Sequence, residues 1–343
     1  MAETLVQGRA FAGFARACCI GFALTLLAAC LPTQQRMGSP TEGFAGPRFD
    51  VEAERFVSFD GAPLGLTTWA PEEGAEPWAV LIGLHGMNDY AGTFHYAGPW
   101  FAARGVITYA YDARGFGRSP RRGVWGGERL MTEDVRAAVA VARRRHPSAI
   151  IAVIGDSMGA ATAIAAAGDE AGLGADRLIL VAPAVWGWKT LPNSYATTLW
   201  VGAHTFPWRA LSAPRNVTRR ITASDNREAL LRAGRDPHMI WRTRIDAVYG
   251  LVNLMEAAAD RSANLHGPVL FLYGAHDQII PRNAALAAAA RLPATARTAY
   301  YENGYHWLLR DLQAEVVYAD ILAFLGDAEA PLPSGAGPLQ ANH

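Results

Sequence analysis

A mostly parallel β-sheet covered by helices on both faces is the architecture this sequence predicts, and three observations predict it. Short, almost wholly apolar runs recur at 78–84, 106–111, 149–154, 178–182 and 269–273, as expected of strands buried on both faces. Segments of helical character fall between most of them, and such alternation builds parallel sheets. Hydrophobic residues make up 51% of the 343 and charged residues only 18%, against about 25% charged in an average soluble chain. That composition supplies a sizeable core and excludes general disorder. The length accommodates one large domain with an insertion as readily as two domains.

The elements follow in order. Residues 54–59 and 64–70 flank Asp60-Gly61, a hairpin-like start. The run 78–84 ends at His85-Gly86, a helical stretch covers 94–103, the strand 106–111 follows, and a helix covers 132–145. The run 149–154 leads into an alanine-rich helix from Met158, and 178–182, 269–273 and 298–301 are further strands. Helices are expected at 282–291 and 313–324. The core is thus placed at 51–185 and 266–326, and 327–343, rich in Pro, Gly and Ala, is expected to be a disordered tail.

Between 185 and 265 the alternation stops. This stretch holds Trp186, Trp188, Trp200, Trp208 and Trp241, half of the chain's 10 tryptophans. Trp241, Ile245, Val248, Val252 and Met255 recur at steps of four and three, an apolar helical stripe. So long a connection exceeds a loop, and a helical insertion is expected at 186–265. The pattern leaves two readings of it open: a peripheral helical layer, or a cap over an apolar pocket.

Cys18, Cys19 and Cys30 are the only cysteines, so the body has no disulfide, thiolate metal site or cysteine nucleophile. Arg9 and Arg16 precede an uncharged apolar stretch at 17–29, which reads as an export signal at 1–29. Its end, Leu27-Ala28-Ala29-Cys30, resembles the lipobox of bacterial lipoproteins, in which the cysteine is acylated and becomes the new N-terminus. An uncleaved anchor is the alternative, but 13 residues fall short of the roughly 20 needed to span a bilayer. Because Leu31 rather than Asp follows the cysteine, the resemblance implies sorting to the outer membrane, on its periplasmic side, in a bacterium with two membranes. Residues 30–50 would then be a tether, with Pro, Gly and Gln between 33 and 48. Lys+Arg and Asp+Glu both total 31. No basic excess exists to neutralise a phosphate backbone, which argues against a nucleic-acid partner.

The chemistry centres on Ser157. Gly155-Asp156-Ser157-Met158-Gly159 has the form G-x-S-x-G, with a buried strand before it and a helix after it. A sharp strand-to-helix turn presents the serine hydroxyl, glycines on either side leave room, and the helix N-terminus favours negative charge developing there. A serine hydroxyl needs a base to take its proton. Asp277 follows the run 269–273, and His306 follows the next strand in the loop Glu302-Asn303-Gly304-Tyr305-His306-Trp307. The order Ser157, Asp277, His306, each at the C-terminal end of a strand, makes a nucleophile, an orienting acid and a base. Singly, Asp277 could cap a helix and His306 could be an ordinary loop residue. His276 is a rival base but sits one residue from the acid. His85-Gly86-Met87-Asn88 closes an earlier strand, where an oxyanion hole draws one backbone N–H. The expected donors are the N–H groups of Met87 and Met158.

These stretches, with Tyr111-Asp112-Ala113-Arg114-Gly115-Phe116-Gly117-Arg118-Ser119 and Gly274-Ala275-His276-Asp277, resemble the α/β-hydrolase superfamily, most of all its monoacylglycerol lipase and lysophospholipase branch. The resemblance covers about 51–325 and implies a helical cap at the insertion. Two positions depart from the branch: Asp156 stands where it usually has His, and Asn88 where it usually has Gly. The resemblance implies ester hydrolysis through an acyl-enzyme on Ser157, with no metal or organic cofactor. A lipid or small ester would be the substrate, a monoacylglycerol or lysophospholipid first among them. Acyl transfer to an alcohol, cleavage of a peptide or xenobiotic ester, and an idle membrane-tethered binding module are the alternatives. Epoxide hydrolases and dehalogenases place Asp at the nucleophile, where this chain has Ser157.

Overall fold

The computed structural model describes residues 31–212 and 221–340; Cys30 and the expected export signal lie outside them. At one edge of the main sheet, β1 (Arg48–Asp50), β2 (Arg55–Val57) and β3 (Pro63–Trp69) run antiparallel. Then come β4 (Ala79–Leu84), β5 (Val106–Tyr111), β6 (Ile150–Asp156) and β7 (Arg177–Val181). β8 (Ala210–Leu211) and β9 (Thr243–Arg244) pair apart from the sheet, and β10 (Val269–Gly274) and β11 (Ala296–Tyr301) complete it. The order across the sheet is β1-β2-β3-β5-β4-β6-β7-β10-β11, parallel from β5 onward.

The apolar runs are continuous because alternate residues feed opposite cores. Val80 and Ile82 of β4 and Ile151 and Val153 of β6 point into one, and Leu81, Ala152 and Ile154 into the other. Each fully buried side chain of this size contributes roughly 1.5–3 kcal/mol. The helices are α1 (Ala97–Ala102), α2 (Glu128–Arg145), α3 (Met158–Ala167), α4 (Asn193–Thr205), α5 (Arg227–Arg235), α6 (Ile245–Arg261), α7 (Arg282–Ala289) and α8 (Ala314–Gly326). α2, α3 and α6 cover the first core, and α1 and α8 the second. Ala160, Ala161, Ala163 and Ala165 let α3 lie close against β6 and α6.

Three boundaries differ from the sequence reading. The stretch expected as an insertion at 186–265 is divided: α6 packs against α3, with Val252, Leu254, Met255 and Ala258 in the first core, so it belongs to the helical layer. A helical period reveals an apolar face but not what it packs against. Trp200, Trp208 and Trp241, by contrast, are each more than half exposed.

The stretch expected as a tether at 30–50 lies against the body from Gln35. The Gln35 backbone N–H donates to Trp125 O and its Nε2 to Val124 O, both at 2.8 Å, and Gly38 N donates to Asp60 Oδ2. The tail expected to be disordered is ordered over 327–340. β11 is the sheet's edge, and its outward backbone groups need partners. Tyr300 N accordingly donates to Gly337 O, Leu339 N donates to Thr298 Oγ1, and Arg297 Nη1 donates to the carbonyls of Ala328 and Ala330. Among the described residues no helix is long and apolar enough to cross a membrane.

Candidate active site

Ser157 stands between the last residue of β6 and the first of α3 with φ 52° and ψ −109°. That backbone is strained for a residue with a side chain, by about 1–3 kcal/mol, and its surroundings hold it. Ser157 N donates to Val181 O, and Ser157 O accepts from Ala161 and Ala184. The two glycines of the motif are steric necessities. A Cβ on Gly155 would lie 2.4 Å from Ala160 N, and one on Gly159 would lie 2.1 Å from Leu84 O.

Asp277 and His306 meet because their loops touch: a Cβ on Gly274 would fall 2.5 Å from the Gly304 backbone. His306 Nδ1 lies 2.8 Å from Asp277 Oδ2, while Oδ1 accepts the N–H groups of Ile279 and Ile280 at 2.8 and 2.9 Å. The proton on Nδ1 is thereby held by the carboxylate, which leaves Nε2 as the basic nitrogen. Burial works against charging the imidazole, but the charge and hydrogen bond of Asp277, joined by the charge of Asp156, outweigh it and raise the His306 pKa above its ordinary value. Ser157 and His306 line one cavity. Among the described contacts no hydrogen bond joins the hydroxyl to the ring, and such contacts commonly tighten only when substrate binds. The rival, His276, packs against the ring of Tyr305.

The N–H groups of Met87 and Met158 make no backbone hydrogen bond among the described contacts outside regular elements, and Met158 opens α3, where helix N–H groups lack intrahelical partners. His85 positions this loop. Its Nε2 accepts from Ala113 N and its Nδ1 donates to Gly86 O, and burial lowers its pKa and keeps it neutral. Asn88 has φ 65°, a left-handed conformation suited to Gly or Asn. Its Nδ2 donates to Thr243 Oγ1 on β9 and its carbonyl accepts from Ile240, which ties the loop to the insertion.

Two cavities meet at Met87, Ser157 and Ile279. One, of about 380 Å³, is lined by Trp186, Leu191, Leu199, Val248, Leu251 and Met255. The other, of about 520 Å³, carries Asn88, Asp89, Asp156, Thr243, His306 and Arg310. Both departures from the branch pattern therefore face the site. Sequence reasoning missed Asp89 and Arg310, whose ion pair spans 2.8 Å between the loops of Met87 and His306. The signal available was a lone arginine four residues beyond His306 in a chain poor in charge.

Residues 75–313 match the family model described as serine aminopeptidase, S33. The chain is 26% identical over 283 residues to a monoacylglycerol lipase of Mycolicibacterium smegmatis, covering 79% of this chain and 95% of that one. It is 24% identical over 260 residues to a human monoglyceride lipase, covering 75% and 84%. In fold it is similar to a monoacylglycerol lipase of Paleococcus ferrophilus (TM-score 0.62, 20% identity, 78% of this chain and 99% of that one). It is likewise similar to a soluble variant of the monoglyceride lipase of Saccharomyces cerevisiae in complex with a substrate analog (TM-score 0.68, 17% identity, 85% and 99%). The architecture is the α/β-hydrolase fold.

Proposed function

Because the chain belongs to the serine aminopeptidase S33 family, we propose that it cleaves single-chain lipid esters, monoacylglycerols or lysophospholipids, through an acyl-enzyme at a membrane. Its monoacylglycerol lipase relatives and its family make it a carboxylic ester hydrolase. The observation that carries the substrate reading is the junction of two unlike cavities at Ser157. An acyl chain suits the apolar one, and an alcohol with hydroxyls suits the one bearing Asn88 and Thr243.

In this mechanism Ser157 Oγ attacks the ester carbonyl while His306 Nε2 takes its proton. The N–H groups of Met87 and Met158 bind the oxyanion, and Asp277 stabilises the imidazolium. His306 then protonates the departing alcohol, and the same base activates the water that releases the fatty acid. No metal or organic cofactor takes part.

Two features support membrane action. Trp200, Phe206, Trp208, Leu211 and Trp241 are exposed on the insertion, and Trp241 and Thr243 also line the larger cavity. A lipid on Cys30 would be a short leash, since five residues to Gln35, where the chain meets the body, reach at most about 18 Å. The enzyme is then exported and anchored to the periplasmic side of the outer membrane.

Esters of graded acyl length test this reading. We expect kcat/KM to rise from acetate to long-chain monoacylglycerol, and a flat or falling trend removes the lipid assignment. Added acceptor alcohol separates hydrolysis from acyl transfer by product. Cys30→Ser is expected to lose fatty-acid labelling and to leave the membrane fraction.

A further inference from the structure

Three charged groups join the loops that carry Met87, Ser157 and His306, and the ester-cleaving steps leave them unassigned. Arg310 is 7% exposed. Its Nη1 lies 2.8 Å from Asp89 Oδ2, two residues past Met87, and its Nη2 lies 4.0 Å from Asp156 Oδ2, immediately before Ser157. The guanidinium rests over the Trp307 ring at 3.7 Å. Asp156 closes β6 at 2% exposure, and its Oδ1 has no hydrogen-bond partner among the described residues. A Cβ on Gly86 would lie 3.1 Å from Asp156 Oδ2, so this carboxyl is fitted against the loop of Met87.

A buried carboxyl lacking a full set of partners is costly. Burial pushes Asp156 up to about 6, against the pull of Arg310 and His306. The charged groups that act on it are Arg310, His306, Asp89 and Asp277. Asp156, Arg310 and His306 line one cavity, and the charges that act on His306 are Asp277, Asp156 and Arg310. Inside a protein such charges interact far more strongly than in water and are little screened by salt.

We propose that Asp156 and Arg310 are positioning residues that act on His306 by opposed charge. The Asp156 carboxylate favours the imidazolium formed when Ser157 gives up its proton, and the Arg310 guanidinium opposes it. The benefit is confined to the transition state and the charged intermediate, because a neutral ring gains little from a nearby anion. In the same stroke Arg310 keeps the oxyanion loop, through Asp89, in register with the histidine loop. The inference rests on the reading of Ser157 and His306 given above.

The test measures pH profiles of ester hydrolysis, and of fluorophosphonate labelling, for the wild type, Asp156→Asn, Arg310→Gln and Arg310→Lys. Labelling of the wild type that is absent in Ser157→Ala checks the underlying reading separately; without it that reading fails. Given labelling, Asp156→Asn should shift the acidic limb to lower pH and cut plateau kcat about tenfold with little change in KM, one pKa unit being a tenfold change in equilibrium. Arg310→Gln should shift the limb to higher pH, and Arg310→Lys should restore it. Limbs that stay in place, or that move together in both variants, overturn the proposal. If Asp156→Asn does not fold, Arg310→Gln against Arg310→Lys decides alone: an upward shift undone by lysine supports it, and no shift overturns it.

Discussion

Nδ1 of His306 stands 2.8 Å from Oδ2 of Asp277, whose other oxygen is fully taken by the N–H groups of Ile279 and Ile280. The carboxylate therefore cannot turn, and Asp277→Asn has no good orientation. With its NH2 toward the ring, the amide opposes the Nδ1 proton and forces the other tautomer. With its oxygen toward the ring, the NH2 faces two backbone donors. The clash of the NH2 with those two donors favours the first orientation, so the ring takes the wrong tautomer, Nε2 loses its role as base, and kcat should fall by the order of 10⁴ with the fold intact. Single-turnover acylation and circular dichroism check this together.

The pH dependence follows from the sign of the His306 shift. The ring must be neutral to take the Ser157 proton, and its pKa lies above the ordinary 6.5. Activity should fall as the pH drops through that raised value, so the acidic limb of kcat/KM should have its midpoint above 6.5. A limb below that value would mean that Asp277 and Asp156 do not outweigh burial. The linked stability contribution has the opposite sense: it is fully present below the unfolded pKa and is lost as pH rises through the folded one.

Glycines differ in what surrounds them, and the structure ranks their replacement. A Cβ on Gly159 would fall 2.1 Å from the Leu84 carbonyl, which is backbone of a central strand and cannot yield. On Gly326, at the end of α8, a Cβ meets nothing within 4 Å. Gly159→Ala should therefore cost upwards of about 1–3 kcal/mol, whereas Gly326→Ala should be neutral or slightly stabilising. Thermal unfolding of the pair measures the difference, and equal midpoints would discount the close approach of α3 to β4.

How much of this was legible in the sequence depended on whether the signal was local. Ser157, Asp277 and His306 each follow a strand within five residues, so their order and their placement after strands put them at one end of the sheet. The segment 327–340 misled because its Pro, Gly and Ala composition is shared by disordered chain and by coil pinned to an edge strand. What pins it, such as Tyr300 N to Gly337 O, is a pairing no local window contains. Asp89 and Arg310 were invisible for the same reason, being partners 221 residues apart (310 − 89). The role of α6 was hidden because a helical stripe does not say which neighbour it packs on.

The exposed aromatic face of the insertion carries its own prediction. Trp208 and Leu211 are 55% and 56% exposed, and neither lines a cavity that holds Ser157. Fully burying one such side chain is worth roughly 1.5–3 kcal/mol. In a Cys30→Ser background, replacing both with serine should weaken partitioning onto phospholipid vesicles at least about tenfold. Hydrolysis of a short water-soluble ester should stay unchanged. Unaltered vesicle sedimentation would remove this face from membrane contact.

Asn88 offers a test of how the oxyanion loop is held. Its left-handed φ of 65° would suit glycine, yet its side chain reaches Thr243 Oγ1 at 2.8 Å, while its carbonyl keeps Ile240. Asn88→Gly relieves the backbone and cuts the side-chain bond, a loss of about 0.5–1.5 kcal/mol. Asn88→Ala cuts the same bond and retains the strain, about 1–2 kcal/mol more. Thermal midpoints should thus fall in the order wild type, Gly, Ala, and kcat on a long-chain ester should follow them as the Met87 N–H loses its fixed direction. If alanine equals or exceeds glycine in both, the left-handed turn is not what the loop needs from this position. The bond to Thr243 alone would then account for asparagine.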